Sequence, residues 1–177
     1  MVNQNSSGRT GLTIGLLNAG LTLAVVRILS SYSWLNGAFV GKDAKFTADF
    51  LSGTGLAKRI NETFVHTTAS EGISSWLTNS VVPNASLFAW LLALGEAGVG
   101  ISLLLGLFTR LGGFFAVVQA LANMLVVGGM GADTIDQNYL LALLGIAFII
   151  TAAGRTLGLD GILIKRFPNS RLLRFVG

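Results

Sequence analysis

The chain has 177 residues, 52% of them hydrophobic and only 11% charged, with a mean hydropathy of +0.70. Soluble domains carry about 25% charged residues, so this composition cannot coat a water-soluble globule and makes lipid the solvent. The formal net charge of +4 comes from bases that flank apolar runs rather than gather on one soluble face, which excludes a nucleic-acid partner and fits membrane orientation.

Cysteine is missing and histidine occurs once, at His66. Thiolate iron–sulfur clusters, disulfides, thiol catalysis and bis-histidine haem are therefore excluded within this chain, and no metal is expected. Electrons passing through would need a membrane quinone, a partner subunit or a substrate bound between chains.

In chain order, a short polar start precedes an apolar run too long for a signal-peptide core, which reads as a retained first span over about 12–41. Gly11, Gly15 and Ala19 give it a stripe of small residues, with Asn18 and Thr22 on a neighbouring face. Arg27 interrupts the run, and Tyr32 and Trp34 suit an interfacial aromatic belt. Residues 43–85 form the one sizeable polar segment. Phe46, Phe50, Leu51, Leu56, Ile60 and Phe64 recur with partial helical period, and Ile73, Trp76 and Leu77 mark a second amphipathic piece before Pro83. A cap of short helices on the membrane surface is expected, a floppy loop being the alternative.

The second span, about 87–108, holds one acid, Glu96, and is closed by Arg110. Gly98, Ser102 and Gly106 lie four apart and predict a flat stripe for a neighbouring helix. The third span, about 112–130, carries Gln119 and Asn123 on one face. After a turn with Asp133 and Asp136 comes the fourth span, about 137–155, then a basic tail at 161–177. The reading is a single domain over 1–177: an all-α integral membrane protein, a four-transmembrane-helix bundle with a short-helix extracellular segment between helices 1 and 2. The positive-inside rule places Arg9, Arg110, Arg155 and the tail in the cytoplasm. That makes a multi-pass protein of the cell membrane with both termini cytoplasmic.

Two ionisable residues fall inside spans, each costing about 2.5–3.5 kcal/mol unless paired or wet. Counting along the helices puts Glu96 about 13 Å and Arg27 about 21 Å below the outer edge, and arginine can reach along its stem. The two are expected to meet as an intramembrane polar pair. The pair either fixes helix register or serves as a proton relay or an anchor for a quinone headgroup, with Gln119 and Asn123 as further members or as simple interhelical hydrogen bonders. Outside the membrane, His66, Lys58 and Arg59 could form an anion or proton site, a solvated face being the bland alternative.

These residues carry a resemblance. Gly95-Glu96, then Gly98, then Leu103-Leu104-Leu105-Gly106-Leu107-Phe108-Thr109-Arg110 resembles the signature of the DoxX/DoxD membrane proteins. Arg27, Trp34, Gly37 and Lys42 are similar to that family's opening, and Val82-Pro83-Asn84 leading into Phe88 resembles the DoxD branch, the small-subunit class of thiosulfate:quinone oxidoreductase. The likeness spans about 25–160, and the apolar extension before Arg27 departs from it. The resemblance implies a four-helix bundle, a partner chain on the outer side, and electrons passing from thiosulfate to a membrane quinone with tetrathionate as product. It assigns no catalytic residue. Three functions stay open: a quinone-facing oxidoreductase subunit, a non-catalytic accessory subunit on a larger respiratory or photosynthetic complex, and a small transporter. The last is disfavoured because no inverted repeat is evident.

Overall fold

Every long apolar run forms a helix in the computed structural model, which describes residues 5–68 and 70–177, with side chains from residue 19 onward. The helices are α1 (Asn5–Leu35), α2 (Ala48–Leu51), α3 (Thr54–Arg59), α4 (Val65–Thr67), α5 (Glu71–Trp76), α6 (Ala85–Leu105), α7 (Thr109–Val127), α8 (Ala132–Thr151), α9 (Leu159–Arg166) and α10 (Arg171–Val176). No strand forms among the described residues. Among the described residues, four stretches are long and apolar enough to cross a membrane: Ala19–Val40, Glu71–Leu105, Thr109–Met130 and Ala132–Thr151. The expected all-α bundle of four spans, with short helices between the first and second, is what the chain adopts. The side chains of Arg9, Gly11, Gly15 and Asn18 lie outside the described residues.

The second span is longer than its apolar part. Helix runs from Glu71 to Leu105, 35 residues, or about 52 Å at 1.5 Å per residue. Pro83 lacks an N–H and would normally break such a helix. A wide π turn at Leu77–Val81 and a 3₁₀ turn at Val82–Asn84 carry the backbone past it. The polar first third thus becomes one wall of the cap instead of a separate surface helix.

The remaining cap walls are short helices with local start signals. The Thr47 hydroxyl accepts from the Phe50 N–H, and that of Ser70 from the Ile73 N–H, capping α2 and α5. Phe50, Leu56, Ile60, Leu77, Val81 and Ala89 bury together as a cap core. Most of the aromatic and aliphatic period seen in 43–85 is therefore packing. Gly53, at φ +90°, brings the α2–α3 turn onto the start of α6, where Ser86 donates to the Leu51 carbonyl at 3.0 Å. Below the cap a second core joins Trp34, Val99, Leu103, Ala116, Phe148 and Ala153.

The small residues act differently from the expected stripe. A methyl on Gly98 would meet nothing within 4 Å, Gly112 rests on Ser102, and Gly106 rests on the Arg27 guanidinium. One face therefore does not serve one neighbour. The closest backbone approach of α7 and α8 is instead at Gly113 and Gly145, where an added Cβ on either would lie 2.7–2.8 Å from the other's carbonyl oxygen.

Candidate functional site

The site begins where the first span ends. A π turn over Asn36–Val40 and a turn at Gly41 reverse the chain. The Lys45 N–H then returns to the Gly37 and Ala38 carbonyls at 3.2 and 3.0 Å, and the Phe46 N–H to Ala38 at 2.9 Å. Phe46 stacks on Phe39 at 4.7 Å and meets Trp90 edge-on at 6.4 Å, which fixes the reversal. Lys45 is thereby aimed back into the bundle, and its ammonium lies 2.8 Å from both carboxylate oxygens of Glu96.

Glu96 sits midway along α6 and is 7% exposed. Gly37 faces it, and a Cβ there would come within 2.7 Å of Oε2. A glycine at 37 is what lets a carboxylate lie between α1 and α6. A buried carboxylate beside an ammonium meets the requirement that intramembrane charge be paired.

Two cavities meet at this carboxylate. The first, 290 Å³, lies under the cap. Its walls are apolar and aromatic, with Phe50, Ile60, Phe64, Trp76, Phe88, Leu92 and Val126 among them. Its polar lining is Lys45, Glu96, Arg59 and Asn123. The second, 360 Å³, opens between the cap-side ends of the spans and is lined by Ser33, Asn36, Gly37, Lys42, Asp43, Gln137 and Asn138, with Glu96 and Asn123 again. An apolar chamber with a few converging polar groups is the usual form of a small-molecule site, and 290 Å³ falls just below the usual range of about 300–1,000 Å³.

The expected pairing of Arg27 with Glu96 does not occur. Arg27 is fully buried at the opposite end of the bundle, against Gly106, ten residues and about 15 Å along α6 from Glu96. Its Nη2 donates to the Leu157 carbonyl at 2.9 Å, while Nε and Nη1 have no hydrogen-bond partner. The acid whose charge acts on it is Asp160. Asp160 accepts the Phe108 and Thr109 N–H groups at 2.7 and 2.9 Å and so caps α7. The arginine stem reached toward the nearer end of the bundle rather than toward mid-depth.

The other expected residues separate. Asn123 lines both chambers. Gln119, one turn away, donates to the Leu92 carbonyl at 3.4 Å and bridges two helices. Arg59 borders the apolar chamber, lies 5.7 Å over the Phe50 ring and pairs with Asp43 at 3.1 Å. Lys58 and His66 are exposed and border neither chamber, so the three do not form one outer-face cluster. Lys45, Asn138 and Asp160 were missed by sequence reasoning. Each lies at or beyond the end of a span, where position along the chain gives no hint of what the side chain turns back to meet.

No match was found among the curated proteins or the solved structures. Residues 22–176 match the sequence profile of the family described as TQO small subunit DoxD, and the chain belongs to that membrane family.

Proposed function

We propose that the chain is the quinone-facing membrane subunit of a sulfur-compound oxidoreductase, with thiosulfate as donor by family. The observation that supports this reading is the apolar chamber closed at its inner wall by the Lys45–Glu96 pair. A quinone ring suits aromatic walls, its carbonyl oxygens need the donors that Lys45, Arg59 and Asn123 carry, and its tail needs lipid close by. Gln119 supports the site by joining α6 and α7. Arg27 belongs to the opposite end and has no part in it. The bases at Arg110, Arg155 and the tail favour a cytoplasmic location for the end opposite the cap. A donor-handling partner subunit fits the other face.

The test compares membranes with and without this chain for thiosulfate-dependent quinone reduction and for quinone co-purifying with it. Cysteines placed at Ser52 and Ser170 report the orientation in the same membranes. Loss of reduction on deletion, with quinone bound to the purified protein, is expected. Survival of the activity while a larger complex loses stability would replace this reading with the accessory-subunit one. One observation favours that alternative: a lipid-facing groove between α6 and α7, floored by Gly95, Gly98, Ser102 and Gly112, could seat a neighbouring helix.

A further inference from the structure

We infer that Glu96 carries protons from the polar chamber to the apolar one, so that the protons consumed at the quinone enter from the cap side. The inference rests on the quinone reading above and goes beyond it in naming a route and the residues that make it. Reducing a quinone to a quinol takes two electrons, here from two thiosulfates joined through a new S–S bond, and forms two O–H bonds with two protons. Those protons need a path into a chamber whose walls are almost wholly apolar.

Glu96 is the one acid among the chamber's lining residues. It also lines the polar chamber, and its Oε2 lies over Gly37, which belongs to that second cavity. The absence of a side chain at 37 leaves the carboxylate open to the polar side. That cavity is polar and roomy enough at 360 Å³ to hold several waters. It widens toward exposed Lys42, Asp43 and Gln137. In each transfer, Oε2 takes a proton from chamber water, the carboxyl gives it to the quinone oxygen, and the carboxylate returns to Lys45. Asn138, 7% exposed with its amide donating to the Thr134 carbonyl at 2.8 Å, also lines the polar chamber and positions the water path.

The protein is tested as purified, with whatever subunit accompanies it. Tryptophan quenching measures short-chain quinone affinity, steady-state turnover is read in H₂O and D₂O, and infrared difference spectra on quinone addition report carboxyl protonation. The expected result for Glu96→Gln is turnover down at least tenfold with quinone affinity changed less than threefold, and loss of a protonated-carboxyl band present in the unaltered protein. Asn138→Leu should cut turnover several-fold, raise the solvent isotope effect and leave affinity alone, with Asn138→Gln, which keeps the amide donor, restoring part of it. In the double variant Asn138→Leu should add nothing to Glu96→Gln. Unchanged turnover in folded Asn138→Leu, or a carboxyl band that survives Glu96→Gln, overturns the relay while leaving the quinone site standing. No quinone binding by the unaltered protein overturns the quinone reading itself.

Discussion

Both ends of the bundle hold a base and an acid, and they use them differently. At the tail end, Arg27 and Asp160 are 0% and 2% exposed. Asp160 spends both oxygens on backbone N–H groups, Arg27 packs against Gly106, and neither chamber reaches them. Three non-glycine residues with positive φ, Phe108, Ala152 and Leu157, gather around this end, a strain that persists only where surroundings over-determine the backbone. At the cap end, Lys45 and Glu96 pair with each other and face empty space on two sides. The tail end uses charge to close turns. The cap end holds charge where a ligand and water could both reach it. The family-like block from Gly95 to Arg110 reaches from one end to the other, so its two halves have separate tasks.

The largest expected effect tests the tail end. Asp160→Ala removes the α7 cap and takes away the acceptors of the Phe108 and Thr109 N–H groups, a loss of about 1–3 kcal/mol for each. Thermal unfolding in detergent should show little folded protein. Near-normal stability would mean this end is not the lock of the bundle.

A smaller effect separates the two ends. Lys45→Met with Glu96→Gln should be non-additive by about 0.5–3 kcal/mol, since the groups touch, whereas Arg27→Gln with Glu96→Gln should add within about 0.3–0.5 kcal/mol, since they do not. Coupling in the second cycle, read by the same unfolding assay, would merge the two ends into one network. The smallest effect lies between them. Gly98→Ala faces open space on a helix, so it should be neutral or stabilise by about 0.5–1 kcal/mol. A clear loss of yield would show that the lipid-facing groove is filled by a neighbour.

Much of this architecture is legible in the amino-acid sequence. Apolar run length gave the four spans, and the lone acid in the second span stood out because charge in hydrocarbon is costly. The partner of that acid was not legible. Counting residues measures depth along a helix, but Lys45 reaches Glu96 only because the chain reverses at Gly41 and re-enters. The depth argument also failed for Arg27, since a long stem can reach toward either surface and the nearer carbonyls, at Leu157, won. Asn138 looked like an ordinary residue at the start of a span and gains its place only from the gap between α1 and α8.

The helical run from Glu71 to Leu105 makes the two sides of the cap unequal in compliance. One side is a single run anchored in the bundle and jointed only at the π and 3₁₀ turns around Pro83. The other, the arm of α2 and α3, is made of short helices held by Phe50, Leu56 and Ile60 in the cap core, by the Ser86–Leu51 hydrogen bond and by the partly exposed Asp43–Arg59 pair. Opening free energies are lowest where few buried contacts and exposed polar bonds hold a segment. If the apolar chamber opens, the arm with Arg59 at its edge is expected to move ahead of the helix that carries Glu96.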